Sequence, residues 1–401
     1  MNYNESELKS WLDSCLKKNL LEIRVTLVGH SAKGDGYMGD IFFVHVDGKA
    51  PHGGPQTLDV AVKCSKDSDV LRKFSPMKIF FRNEKYFYER VFPTFVQFQT
   101  NRGVKNAFGG VPKCYGTLSG DRDVLVFENL AKRGFQLWDR KRPMTRGHVE
   151  LVLREYAKFH AISGALQDQE AEKFGELVGH YDIFRDLGRG ENPMVDALKN
   201  AIDEMGDLLK NELEEWVLDK WRKLKNDCET IFQDLMSFQG FKVVTHGDCW
   251  NNNFLFYCDE RNNPIKVSII DWQISRLASP ILDLSHFIFS CTSENDLNDL
   301  TNILEYYHKC FSDFLTQMGS SENLYPKTQF FEDWKKLSKF GIMLTSIVMK
   351  ICTAEMEEAP DLAKSAENGD LKVFQFEVGN KKLLRQRMRA IVRCASQNEL
   401  I

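Results

Sequence analysis

The stretch VVTHGDCWNNNFLFYCDERNNPIKVSIIDWQIS, residues 243–275, decides how the chain is read. A His-Gly-Asp runs into three asparagines, and a later apolar run ends in a lone aspartate, Asp271. NFLFYC and IKVSIID read as two strands joined by a polar turn. A hairpin there sets the tract before it, with Asp248 and Asn253, beside the residue that follows it, Asp271. Two carboxylates and a carboxamide are thereby gathered at one end of a small sheet.

At 401 residues the chain exceeds one ordinary core, which predicts two lobes. Its 43% hydrophobic and 27% charged content is that of a globular protein. The 29 phenylalanines suit a large core and an apolar pocket besides. A formal net charge of −4 offers no reason to expect nucleic acid or an anionic membrane as partner. No segment reaches the roughly 18 apolar residues of a membrane span. The most apolar one, SPILDLSHFIFSC, is short and carries Asp283 and His286. The N-terminus is charged where a signal peptide would be apolar. Ten cysteines lie scattered with no CxxC pair, which argues against a zinc knuckle and for reduced thiols. The expectation is a cytoplasmic monomer with no nucleic-acid or membrane partner.

Upstream, ESELKSWLDSCLKKNL puts Leu8, Trp11, Leu12, Cys15 and Leu16 on one helical face. LEIRVTLVGH, IFFVHVDG and TLDVAVKC read as strands, the first two joined by the glycine-rich turn SAKGDGYMGD. PMKIFFRNEKYFYERVF has helical periodicity, and FVQFQTNRGVKNAFGG reads as a loop. VPKCYGTL and DVLVFENL are two further strands. From about Gly147 the pattern is mostly helical, beginning with the stripe Val149, Val152, Leu153, Tyr156, Phe159 and His160. Residues 192–236 read as a long helical region in two pieces, with Trp216 and Trp221 turned inward. The fold class is therefore α+β and bilobal. Residues 1–130 form a small lobe with an antiparallel sheet, and residues 131–401 a mostly helical lobe.

The spacing HGDxxxxN followed by IID is that of a phosphoryl-transfer catalytic loop and its metal aspartate. Asp248 would take the proton of an acceptor hydroxyl, and Asn253 and Asp271 would hold Mg2+ on the phosphates of ATP. Such a motif arises by chance unless the upstream half supplies the other parts in order. VAVKC supplies Lys63 on the third strand, as a cation for the phosphates. The next helix supplies Glu84, its ion-pair partner. Gly34 and Gly36 allow close backbone approach to a nucleotide, and Asp35 between them suits loop capping better than phosphate contact. DVLVFENL, with Glu128 and Leu130, would be the hinge whose backbone meets adenine. Alone, Lys63 is an ordinary surface lysine; it is the order of seven parts that carries the reading.

These residues resemble the aminoglycoside phosphotransferase and choline kinase branch of the protein kinase-like fold. THGDCWNNNFLF, IIDWQISRLASPILDLSHFIFS, NEKYFYERVFP and YAKFHAIS more narrowly resemble the ecdysteroid kinase-like family, also called CHK kinase-like. The resemblance runs from the glycine loop to about Ser290. It implies a bilobal kinase-like fold and ATP-dependent phosphorylation of a hydroxyl on a small molecule, typically a steroid or xenobiotic. ENL stands where EDL is usual at the hinge, and IDWQIS where a Phe often follows the Asp. Asp283 matches the family's further aspartate, expected to brace the catalytic loop.

Other residues have plainer readings. His246 reads as a structural histidine of the loop, and His160 and His286 as satisfied core or interlobe histidines. Cys249 has no paired histidine that would make it a nucleophile. Asn251 and Asn252 would shape the loop through side-chain to backbone bonds. Trp250 and Trp272 either face the acceptor or pack the core. QISRLASPILDLS leads almost at once into a helix, which leaves no peptide platform and favours a small alcohol as acceptor. A choline-type acceptor would ask for an acidic and aromatic cage, and none is located. Two other classes stay open. A nucleotide-binding module without catalysis would not need all five polar residues, and an aspartate-rich metal hydrolase would leave the Lys63–Glu84 pair unexplained.

Overall fold

A computed structural model describes residues 5–31, 39–65, 77–179, 193–355, 357–358 and 376–401. Gly34, Asp35 and Gly36 lie outside the described residues. The N-terminal part is a five-stranded antiparallel sheet of order β1-β2-β3-β5-β4. Its strands are β1 (Leu21–His30), β2 (Gly39–Lys49), β3 (Pro55–Ser65), β4 (Cys114–Leu118) and β5 (Val124–Glu128). Helix α1 (Glu5–Leu16) packs Leu8, Leu12, Cys15 and Leu16 against one face of the sheet. Val60, Val62 and Cys64 of β3 point into that core. Side chains alternate along a strand, so Ala61 and Lys63 point the other way. The position of Lys63 thus follows from its two apolar neighbours.

Between β3 and β4 the chain forms α2 (Met77–Tyr86), a single π-helical turn (Phe87–Val91) and α3 (Phe92–Asn101). Residues 95–101 are therefore helical, not loop. Phe95, Phe98 and Gln99 sit at helical spacing and are buried. The polar letter that obscured this, Gln99, turns inward and holds the following loop. Its Oε1 accepts from Phe108 N at 2.6 Å and its Nε2 donates to Phe108 O at 3.2 Å.

The C-terminal part is helical around small sheets. β6 (Gln136–Leu137) precedes α4 (Arg146–Gln169) and α5 (Ala171–Val178). The region 192–236 holds three helices rather than two, α6 (Pro193–Leu209), α7 (Glu215–Asn226) and α8 (Cys228–Ser237). Trp221 is buried and donates to Ile202 O at 2.8 Å, whereas Trp216 is 51% exposed. Five residues of helix separate them by about 140°, so they cannot share a face. β7 (Val243–Thr245), β8 (Phe254–Cys258), β9 (Pro264–Ile269) and β10 (Arg276–Ala278) follow. β8 and β9 form the expected antiparallel hairpin, extended by β6, while β7 pairs with β10. Further helices among the described residues are α9 (Pro280–Cys291), α10 (Glu294–Asn298), α11 (Leu300–Gln317), α12 (Lys327–Leu337), α13 (Lys339–Thr353) and α14 (Lys381–Gln397).

The fold is α+β and bilobal. Two apolar cores underlie it. The smaller lies between α1 and the sheet, and the larger joins α2 and α3 to the helical part through Phe81, Phe87, Phe95 and Phe159. None of the ten cysteines forms a disulfide. Among the described residues no helix is long and apolar enough to cross a membrane.

Candidate active site

A cleft of about 510 Å³ lies between the sheet and the β8–β9 hairpin. Phe43 and Ala61 line it from the sheet, Phe127 and Leu130 from the β5 end, and Leu255 and Ile270 from the hairpin. At its polar end stand Lys63, Glu84, Asn253 and Asp271. An apolar slot running into a charged end suits a ligand with a flat apolar head and an anionic tail.

Lys63 joins the two halves of that polar end. Its Nζ donates to Glu84 Oε2 at 2.6 Å and to Asp271 Oδ1 at 2.8 Å. Burial works against the ammonium, but Asp271 and Glu84 outweigh it and its pKa is raised. Glu84 is 2% exposed. Burial pushes its carboxyl up to about 7, with Lys63 pulling down and Asp271 pushing up. One residue before it, Asn83 donates from Nδ2 to Gln273 O at 3.0 Å and Ser275 O at 2.8 Å. Helix α2 is thereby tied to the segment after Asp271. Asn83 lies on the buried row of its helix, and a polar residue there was the available signal.

Asp271 has φ +66°, a left-handed backbone that only glycine adopts freely. Such strain persists where the surroundings impose it, most often at functional positions. The residue on either side is held. Ile270 N donates to Asn253 O at 3.0 Å, and Ile270 O accepts from His246 at 2.9 Å. Trp272 is fully buried, stacked on Phe87 at 3.9 Å and 5° and edge-on to His246. Trp272 therefore packs the core, and the π-helical turn delivers its partner ring.

The loop before the hairpin is braced from below. Asp283 accepts from His246 N at 2.7 Å, Gly247 N at 2.9 Å and His160 Nε2 at 3.1 Å. Burial opposes its charge, but these donors and the nearby imidazoles hold its pKa down at about 2. Gly247, at φ +92°, lets the chain turn under the tip of the loop, where a Cβ would stand 2.5 Å from Ile274 O. His246 accepts from Asp248 N at Nδ1, which leaves Nε2 to donate to Ile270 O. It is a structural histidine, as its sequence context indicates. His286 accepts from Cys249 N at 3.2 Å, but its Nε2 has no partner among the described residues. It is thus only half satisfied, and burial lowers its pKa to about 4. Burial pushes the Cys249 thiol well up, which removes it as a nucleophile.

At the tip, Asp248 Oδ2 accepts two donors, Asn253 Nδ2 at 2.8 Å and Trp250 Nε1 at 3.1 Å. Asn253 Nδ2 also donates to Asp248 O at 2.8 Å. With its amide hydrogens committed, Asn253 has its oxygen left for a hard cation. Burial, then Asp271, raises the Asp248 pKa. Trp250 neither merely packs nor simply faces a ligand; its N–H holds a carboxylate, a role the sequence did not disclose. Asn251 is buried, and its carboxamide oxygen meets no donor among the described residues, so the expected side-chain to backbone bond is not made by that atom. Asn252 lines the cleft. At the opposite end Glu128 accepts from Lys113 N at 2.8 Å and pairs with Arg133, while Leu130 is buried at the wall. Five of the expected site residues, Lys63, Glu84, Asp248, Asn253 and Asp271, thus form two bonded groups, and Asn253 and Asp271 face one cleft.

Residues 33–320 match the model of the ecdysteroid kinase-like family. The chain belongs to that family. Membership brings the reaction class, a phosphotransferase acting on a hydroxyl of a small molecule, with ATP and a divalent cation as the family's general requirement. No curated protein matches the chain. Among solved structures it is similar to a Plasmodium vivax ethanolamine kinase, at 11% identity and TM-score 0.43, covering 99% of this chain and 91% of that one. It is also similar to the choline kinase LicA from Streptococcus pneumoniae, at 14% identity and TM-score 0.39, covering 98% and 99%. A choline/ethanolamine kinase family protein from Mesorhizobium loti follows at 12% identity and TM-score 0.37, covering 91% and 92%. These likenesses are loose, and the ecdysteroid kinase-like chain is read from its own residues.

Proposed function

We propose that this ecdysteroid kinase-like protein transfers the γ-phosphate of ATP to a hydroxyl of an apolar small molecule, such as an ecdysteroid, another steroid or a xenobiotic. The adenine end of the cleft is the apolar slot beside Glu128 and Leu130, and Lys63 takes the phosphates. Mg2+ suits the oxygens of Asn253 and Asp271, and when bound it offsets charge on the phosphates. Two protein oxygens fall short of the six ligands Mg2+ prefers, so phosphate and water would supply the others.

Asp248 is the base. Its Oδ2 is occupied by Trp250 and Asn253, so Oδ1 is the oxygen that receives the hydroxyl proton. The alcohol oxygen bonds to the γ-phosphorus as the bond to the ADP oxygen breaks, and the proton passes to Asp248. Little beyond positioning and charge compensation is required for such a transfer.

The observation that supports this most is the double ion pair of Lys63 with Glu84 and Asp271, inside a cleft of nucleotide-like polarity. The apolar acceptor rests on the family's character and on a chain with 29 phenylalanines. Calorimetry of ATP with and without Mg2+, followed by ATP consumption against ecdysteroids, other sterols, glycosylated xenobiotics, choline and aminoglycosides, tests it. Magnesium-dependent binding and a phosphorylated sterol or xenobiotic are expected. A phosphorylated choline or aminoglycoside would move the acceptor to the other branch, and absence of ATP binding would overturn the reading.

A further inference from the structure

A second concavity, of about 1110 Å³, uses the hinge as one wall. Its other walls are the loop 105–111, helices α4 and α11, and strand β9. Five cations and three carboxylates line it: Lys105, Arg133, Arg154, Lys158 and Lys266 against Glu128, Glu155 and Asp313. Each carboxylate already has a cation. Glu128 pairs with Arg133, Glu155 with Lys158 at 2.7 Å, and Asp313 with Lys309 at 2.5 Å. Among the described residues no carboxylate pairs with Lys105, Arg154 or Lys266. A buried hydroxyl adds to them. Ser268 is 4% exposed, lines the same concavity, and its Oγ has no hydrogen-bond partner among the described residues. In a chain of net charge −4, three unpaired cations and an orphaned buried hydroxyl in one concavity mark a site for an anion.

Asn106 and Gln317 add uncharged polar groups, and beside them lies an apolar part of the wall. Phe135, Leu151, Tyr257 and Phe314 contribute to it, and Phe135 and Tyr257 lie 5.8 Å apart as a tilted ring pair. Inorganic phosphate or sulfate would leave these rings uncovered, and a neutral sterol would leave the cations unmet.

We propose that this concavity binds a phosphate monoester carried on an apolar or aromatic body. The phosphate is held by Lys105, Arg154, Lys266 and the Ser268 hydroxyl, and the body lies on Phe135, Tyr257 and Phe314. Glu128, Leu130 and Phe135 line this concavity and the nucleotide cleft alike, so an occupant touches the hinge from outside the site of transfer. A phosphate monoester on an apolar body is also the class of product formed from an apolar alcohol. That link to product feedback rests on the acceptor proposed above; the binding site does not.

The probe is 1-naphthyl phosphate, titrated calorimetrically into the full chain with the cleft saturated by Mg2+ and a non-hydrolysable ATP analogue. One equivalent is expected to bind, with 1-naphthol and inorganic phosphate each at least tenfold weaker. Arg154 and Lys266 are exposed, so the double variant R154E/K266E leaves the fold intact. It should weaken naphthyl phosphate at least tenfold and leave the affinity for the ATP analogue unchanged. Ser268→Ala should weaken the probe several-fold without lowering the melting temperature. Binding that vanishes once the cleft is filled, or that is equal in R154E/K266E, overturns the site. If the ATP analogue itself does not bind, the reading of the cleft fails, and the same titration of the variant without analogue still decides this second site.

Discussion

Lys63 and Asp271 lie 208 residues apart and meet as an ion pair of 2.8 Å. One residue hangs from the small sheet and the other follows the β8–β9 hairpin, so the pair spans the cleft they line. Glu84 completes the arrangement from α2. Lys63→Met should lower kcat/KM for ATP by about 10²–10³-fold, the usual cost of removing a donor aimed at developing charge. It should also cost stability, about 3–5 kcal/mol if Glu84 stays charged in its buried site. Glu84 escapes part of that by protonation, since its pKa is already about 7 and rises further without the ammonium. A raised carboxyl pKa means stability kept at low pH and lost as pH rises through it. Urea midpoints of the variant should therefore fall further below wild type at about pH 8.5 than at about pH 6. Equal deficits at both would show that Glu84 does not change its charge.

Asp248→Asn removes the proposed proton acceptor and keeps the shape. Transfer should fall by about 10²–10⁴-fold, the range of general base catalysis, while calorimetric ATP affinity stays within about twofold. Unchanged turnover would remove Asp248 from its role.

Trp250→Phe keeps the ring and deletes one donor to Asp248 Oδ2. A hydrogen bond to a charged group contributes about 1.5–3 kcal/mol, so kcat should fall about 10–100-fold with KM for ATP unaltered. A change confined to KM would mean that Trp250 binds substrate rather than orienting the base.

His286 supplies a pH dependence of stability. Its pKa falls from 6.5 to about 4 because burial disfavours the imidazolium. The unfolded chain binds the proton first, so the contribution is complete above about 6.5 and is lost as pH falls towards 4. The loss amounts to about 3 kcal/mol. His286→Gln should flatten the denaturation profile across that window, and an unchanged slope would assign it to other groups.

Much of this site could be read from residue order alone. The strand alternation around Lys63, the helix carrying Glu84 and the hairpin between Asn253 and Asp271 are local periodicities, which sequence shows well. Bonds that close across the fold are not local. Nothing in the spacing of Asn83, Trp250 or His160 reveals that they hold Gln273, Asp248 and Asp283. The end of α3 was obscured because Gln99 is a polar residue that points inward. Trp216 departs from the inward position expected of it because the helical angle between the two tryptophans of α7 lets only Trp221 face the core. Asp271 carries a left-handed backbone, which no composition signal announces for an aspartate.

The most direct test of the kinase reading follows the γ-phosphate itself. The full chain would be incubated with Mg2+, ATP carrying heavy oxygen in the γ-phosphate, and ecdysteroid or other sterol alcohols, with products resolved by mass spectrometry. The account predicts a sterol phosphate bearing the labelled oxygens with wild type and none above background with Asp248→Asn. Labelled phosphate released only to water, or a sterol phosphate formed equally by Asp248→Asn, would contradict it.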